Sequence, residues 1–451
     1  MKFKMLITLT GFALLFNACQ KDDDSSSSSA QLDAELQQIL KDASGGVGAS
    51  QFLLPNATEL SKIPQDPKNE LTQEKIQLGA LLFHETGLGL NPMHGENSGN
   101  YSCASCHFAS AGFQAGRHQG ISDGGMGFGV NGEGRMPNPM YDLSELDVQP
   151  IRSPSALNSA YQKVNLWNGQ FGAVGPNVGT DAQWTPGTPK ETNNLGYEGV
   201  ETQAIAAMNV HRLKIDKTIC QSLGYDNLFD QAFPDVPSPD RYDREHAGLA
   251  IAAYERSLLA NQAPFQLWLK GKSSAMTDQE KEGAALFFGK AGCVSCHGGP
   301  NLANMEFYAI GMNDLFEATE ATYGADENSN ENLGRYSFTK VDADKYKFKV
   351  PQLYNLADSP FYGHGASFRN VRDVVVYKNN AVKENNDVPD SQLAEEFKPL
   401  GLSGTEIDAI TVFIESALRD PNLLRYQPLS IRSGNCFPNN DDQSRVDLGC
   451  N

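Results

Sequence analysis

The chain has 451 residues, of which 40% are hydrophobic and 20% charged, and a formal net charge of −19. That length accommodates two domains, each with a core of its own. So acidic a composition excludes nucleic acid as a partner, because counterion release needs clustered positive charge; it suits a basic protein partner.

In chain order, Lys2 and Lys4 precede an apolar run, Met5 to Phe16, too short for a permanent bilayer-spanning helix and readable as an export signal. The run ends in "FNACQKDDDSSSSS". A cysteine after a small residue at such a place resembles the lipobox of bacterial lipoproteins, although Phe16 stands where an aliphatic residue is usual. The resemblance implies a signal peptide over residues 1–18 and a membrane anchor on a lipid at Cys19, followed by a Ser/Asp-rich tether. The Lys-Asp-Asp-Asp run also resembles surface-export signals. The expected location is therefore the periplasm, or the outer membrane or cell surface. Residues 31–41 (QLDAELQQILK) predict a short amphipathic helix, which with the tether fills 19–50.

Two later segments share one plan: "LTQEKIQLGALLFHETGLG…YSCASCH" and "MTDQEKEGAALFFGKAGCVSCH". Each has a polar helix start, a Gly-Ala-x-Leu-Phe core and then Cys-x-x-Cys-His. In the second, Thr277 and Glu280 make a capping-box pattern. The repeat predicts two related domains, residues 51–242 and 243–430, followed by a polar tail, 431–451. Residues 112–134 carry nine glycines and read as a long loop packed over a ligand. Residues 172–199 form a second Gly/Pro/Thr-rich insertion. Helical periodicity returns at 243–262 and 403–419, and few segments alternate with period two, so the class is mainly α.

There are eight cysteines. Cys436 and Cys450 bracket the tail and suit a disulfide in an oxidising compartment; Cys220 reads as a buried thiol. The Cys-x-x-Cys spacing is shared by zinc ribbons, thioredoxin-like dithiols and c-type haem sites, and an immediately following histidine favours the last. A shared four-cysteine zinc site would leave both histidines unexplained, and a thioredoxin-like dithiol needs a βαβ pattern that is absent. The motifs thus predict two covalently bound haem c groups, one on Cys103, Cys106 and His107, the other on Cys293, Cys296 and His297.

The segments "IRSPSALNSAY", "VNLWNGQF", "EGAALFFGKAGCVSCHGGPNLANMEFYAIGM", "LGRYSF", "FKVPQLYNLADSPFYGHGASF" and "LSGTEIDAITVFIESAL" follow in order. With the first repeat they resemble the bacterial di-haem cytochrome c peroxidase and MauG family, over roughly residues 50–420. That resemblance implies two mostly helical, cytochrome-c-like haem domains with long irregular loops. The first haem would take hydrogen peroxide and the second would receive electrons from a small donor protein. Trp167 in "NLWNGQ" takes the place of the family's inter-haem tryptophan.

Several positions depart from the peroxidase pattern. The family's Gly-His-Gly loop, which supplies a second histidine to the first haem, is here "ISDGGMGFG". His118 and Met126 are nearby candidates, but an open sixth position is the expectation. At the second haem the family places a methionine about fourteen residues after the histidine of Pro-Tyr-x-His, which is His364 here. "RDVVVYKNN" has no methionine but contains Tyr377. MauG-like members use a tyrosine one position further on, so Tyr377, with a one-residue slip, is the first choice of distal ligand, ahead of Met312 and His364. The family's proton-moving glutamate has "AAMNVHRLK" as counterpart. His211 is expected to relay the proton and Arg212 to stabilise developing negative charge, with Glu201 in reserve. A homodimer and a bridging calcium ion are also implied, though Ser153 replaces an asparagine of the calcium motif. The leading expectation is an exported peroxidase drawing on a donor cytochrome or cupredoxin. The alternatives are a MauG-like oxidase of a partner protein or small molecule, and a non-enzymatic electron-transfer or redox-sensing cytochrome.

Overall fold

The computed structural model describes residues 23–238 and 240–450; the signal segment and Cys19 lie outside them. Twelve α-helices occur among the described residues: α1 Asp23–Ala43, α2 Gln73–His84, α3 Gly199–Val210, α4 Lys217–Leu223, α5 Asp226–Ala232, α6 Arg244–Ser257, α7 Pro264–Leu269, α8 Asp278–Phe288, α9 Tyr336–Thr339, α10 Val371–Asn380, α11 Gly404–Val412 and α12 Asp442–Leu448. Strand is confined to two antiparallel pairs of two-residue strands, β1 Gly125–Met126 with β2 Met136–Pro137, and β3 Phe307–Tyr308 with β4 Phe348–Lys349. No helix among the described residues is long and apolar enough to cross a membrane.

The repeat is visible as two copies of one packing unit. In the first, the Thr72 hydroxyl accepts from the Lys75 amide to start α2. In the second, Thr277 and Glu280 form the full capping box that starts α8. Each helix then crosses a partner at a glycine. A Cβ on Gly79 would collide with the Ala250 carbonyl of α6, and one on Gly283 with the Ala409 carbonyl of α11. The two crossings bury Leu78, Leu82 and Phe83 in one unit and Ala284, Phe287 and Phe288 in the other. Each large apolar side chain so buried contributes about 1.5–3 kcal/mol.

A second duplication lies downstream, in Pro154-x-x-x-Asn158 and Pro351-x-x-x-Asn355. Both asparagines are left-handed, at φ 57°, and open a 3-10 turn. Each ties its loop to the chain leaving the partner helix. The Asn158 amide donates to Leu258 O at 2.7 Å and its side-chain oxygen accepts from Ala260 N at 3.0 Å. Asn355 does the same with Leu418 O at 3.1 Å and Asp420 N at 3.1 Å. Thus α6 stands to α2 as α11 stands to α8. Helix α6, which begins just after the boundary expected at 242/243, packs against α2 of the first unit. Arg256 of α6 reinforces this attachment, pairing with both carboxylate oxygens of Glu201 on α3 at 2.7 and 2.6 Å.

The ends of the chain are more ordered than expected. α1 exceeds the predicted 31–41 and docks on the second unit, where Leu36 and Leu40 are fully buried. Asp33 accepts from Trp268 Nε1 at 2.7 Å and pairs with Lys281 at 2.8 Å. The tail closes through a Cys436–Cys450 disulfide and folds back on the first unit. Pro438 O accepts from Ser102 Oγ at 3.0 Å, while Asp441 and Asp447 accept from backbone amides of Gly127, Phe128 and Gly129. The glycine-rich loop is therefore clamped, with β1 inside it where no strand was expected.

Candidate active site

Both Cys-x-x-Cys-His motifs end their helix-and-loop units facing one continuous, mostly apolar cavity. The environments of the two histidines match. His107 Nδ1 donates to Phe113 O at 3.1 Å and His297 Nδ1 to Leu302 O at 3.1 Å. Both accepting residues are held left-handed, at φ 56° and 50°. Each ring thereby keeps Nε2 for the cavity, an orientation that suits a metal-binding histidine. Burial pushes both imidazoles down to about 4, so each is neutral and able to donate a lone pair. Burial likewise pushes Cys103, Cys106 and Cys293 up to about 12. Thiols in so apolar a setting are poor redox nucleophiles.

The residues present fit haem. Among the described residues no three His, Cys, Asp or Glu side chains converge as they would on a bare ion. The cavity also holds two buried cations without a carboxylate partner. Arg152 donates to Arg117 O, Gln114 Oε1 and Ser359 Oγ at 2.8–2.9 Å. Lys349 donates to Gln162 Oε1 at 2.7 Å. Burial lowers them to about 9 and about 8. Buried charge is costly unless compensated, and a cofactor that brings its own carboxylates supplies the compensation.

Trp167 lines the same cavity as both motifs. Its Nε1 donates to Arg152 O at 2.8 Å, and its carbonyl accepts from Lys349 N at 2.7 Å. The ring stands edge-on to His364, centroids 6.3 Å apart. His364 lines the cavity too, but its Nε2 is bound to Asp314 Oδ1 at 2.9 Å and its ring is stacked on Phe348. That engagement argues against His364 as an iron ligand.

On the first motif's side, α3 presents Gln203, Ala204, Ala207 and Val210 to the cavity, and His211, which caps its C-terminus, joins them. Gln203 was missed from sequence; its place eight residues before His211 on one helix face was the available signal. His211 Nδ1 lies 2.9 Å from Asp147 Oδ2. Burial disfavours the imidazolium, but the charge and hydrogen bond of Asp147 outweigh it and hold His211 above its ordinary value.

The other expected residues fall elsewhere. Glu201 is fully buried and committed to Arg256, off the cavity. Arg212 turns away in a left-handed conformation to pair with Asp123 and Glu145 O. His118 Nε2 is bound to Ala321 O at 2.9 Å. Met126 lines a separate pocket against the C-terminal tail. No histidine from the glycine-rich loop reaches the cavity.

On the second motif's side, α10 turns Val371, Val374, Val375 and Lys378 to the cavity. Tyr377 is a third of a turn off this stripe. It packs with Met312 and Phe397, and its hydroxyl donates to Ile310 O. This corrects the expectation that Tyr377 faces the second motif. Met312 does line the cavity. Burial lowers Lys378 below the ordinary lysine value.

Residues 73–274 match the family model for di-haem cytochrome c peroxidase. In sequence the chain thus resembles the di-haem cytochrome c peroxidase and MauG family. It is 29% identical over 362 residues to the methylamine utilization protein MauG of Methylorubrum extorquens, covering 80% of this chain and 82% of that one. It is 25% identical over 428 residues to the cytochrome-c peroxidase IdrP1 of Denitromonas iodatirespirans, covering 89% and 98%. A crystal structure of a MauG-like protein associated with microbial copper homeostasis shares the fold, with a TM-score of 0.56 at 20% identity, covering 82% of this chain and 96% of that one. The relatives it resembles are thus named as cytochrome c peroxidases and MauG proteins.

Proposed function

We propose that the chain is an exported, lipid-anchored enzyme that reduces hydrogen peroxide with electrons taken from a small donor protein at its second site. Haem c would be held at the first site by Cys103, Cys106 and His107, and at the second by Cys293, Cys296 and His297. Bound there, haem supplies the iron that takes peroxide and the redox couple that receives donor electrons. The observation that carries this reading is the cavity that both motifs share, lined also by Trp167 and, on the first side, by the His211–Asp147 pair.

The chain's own residues have separable tasks. Reduction of one peroxide to two waters consumes two electrons and two protons, and one proton must reach the departing oxygen. His211, with Nδ1 engaged by Asp147, offers Nε2 for that delivery. Gln203, on the same face of α3, can orient the peroxide by hydrogen bonding. The apolar lining excludes bulk water, and Trp167 bridges the two sites through its contacts to Arg152 and His364.

A MauG-like oxidase is the second reading, favoured by the absence of a loop histidine at the first site. Steady-state turnover of peroxide by the holoprotein with reduced cytochrome c or a reduced cupredoxin separates the two. Rapid turnover supports the peroxidase. Slow turnover, with peroxide oxidising a partner instead, supports the oxidase and overturns the first reading.

A further inference from the structure

Four side chains of α10 face the cavity at positions 371, 374, 375 and 378, and three of them are valines. The fourth, Lys378, closes the stripe one turn beyond Val374. Among the described residues its ammonium makes no hydrogen bond and no ion pair; it rests over the Phe397 ring, 5.1 Å from the centroid. Helix α10 packs on α11, the partner of α8, so Lys378 enters the cavity from the second unit. This half-buried lysine, beside three valines and with Glu396 as another charged residue in the cavity lining, makes no direct bond to the protein.

We propose that Lys378 is the sixth ligand of the second haem iron, its amine nitrogen completing the coordination opposite His297. The inference rests on haem occupying the second motif, as set out above. Coordination uses the lone pair of the neutral amine, so the ammonium releases one proton to water as the nitrogen–iron bond forms; no electron is transferred. The competing side chains are otherwise engaged. Tyr377 faces Ile310 O, His364 is held by Asp314, and the Met312 sulfur lies over Gly363 within the cluster it forms with Tyr377 and Phe397. A strong nitrogen donor at this position makes the second site low-spin and closed to peroxide, and leaves chemistry to the first.

The test is spectroscopic and uses the full-length holoprotein. Intact mass and haem content first establish that both motifs carry haem in the wild type, in Lys378→Ala, in Lys378→Met and in Met312→Leu. Electron paramagnetic resonance of the oxidised proteins then reports each spin state. The expected results are a low-spin centre in the wild type, its conversion to high-spin in Lys378→Ala, and a near-infrared sulfur-to-iron band in Lys378→Met. Met312→Leu should keep the wild-type spectrum. A low-spin centre unchanged in Lys378→Ala, or one lost in Met312→Leu, overturns the assignment while leaving the di-haem reading intact. A second motif without haem overturns both.

Discussion

Replacing His211 by alanine isolates the proton-delivery role. The imidazole lies on the cavity stripe of α3 and meets Asp147 at 2.9 Å on its far nitrogen, so the change leaves the helix, the motifs and the buried Arg256–Glu201 pair in place. Positioned acid–base groups contribute ~10²–10⁴-fold, or about 2.7–5.5 kcal/mol of barrier at 1.36 kcal/mol per decade. The measurement is kcat/KM for peroxide, normalised to haem content, across pH. Asp147→Asn is its companion: it keeps an oxygen acceptor but removes the charge that, against burial, holds His211 above 6.5. Where the imidazolium is the donor, wild-type activity persists to higher pH than an unperturbed histidine allows, and Asp147→Asn moves the alkaline limb to lower pH. The linked stability has the same sense. It is fully present below the unfolded value of 6.5 and is lost as pH rises through the higher folded value. A His211→Ala enzyme within about threefold of wild type, against the ~100-fold minimum expected, refutes the role.

Gly79→Ala and Gly283→Ala each force a Cβ into a facing carbonyl, Ala250 or Ala409. Each should cost about 1–3 kcal/mol, read as a lower denaturant midpoint. Glu201→Gln leaves Arg256 buried with its closest charge partner gone. It should cost about 3–5 kcal/mol in thermal unfolding while leaving peroxide turnover per folded haem unchanged, since Glu201 lies off the cavity. Replacing both Cys436 and Cys450 by serine opens a loop with a sequence separation of 14. The expected loss is about 3 kcal/mol on the chain-entropy scale, with the glycine-rich loop becoming more susceptible to proteolysis.

The motifs that bind locally were the legible part. Cys-x-x-Cys-His depends on fixed spacing within one turn, and the Thr277–Glu280 box on three residues, so both can be read from a short stretch. Pairings that cross the chain were not. Glu201 looked catalytic because it stands just upstream of His211, yet its partner, Arg256, is 55 residues on. The division at 242/243 fell where helical periodicity returns, whereas the helix found there, α6, packs at Gly79 and is tied to Asn158 of the first unit. At α10 the information was present but unused. Val371, Val374 and Val375 already define a stripe whose next member is Lys378, and Tyr377 falls off it by helical geometry alone. The open question at the glycine-rich loop was also partly local: the loop offers no histidine, but its clamping by Asp441 and Asp447 of the tail depends on residues over 300 positions away.

Two sites in one cavity, one for electron entry and one for peroxide reduction, must share the electrons of a single turnover. Stopped-flow mixing of the fully reduced holoprotein with one equivalent of hydrogen peroxide tests it most directly. Both haems should be oxidised by that single equivalent, one electron from each, with Trp167→Phe slowing oxidation of the second. Oxidation of one haem only, with the other remaining reduced while peroxide is consumed, would contradict it.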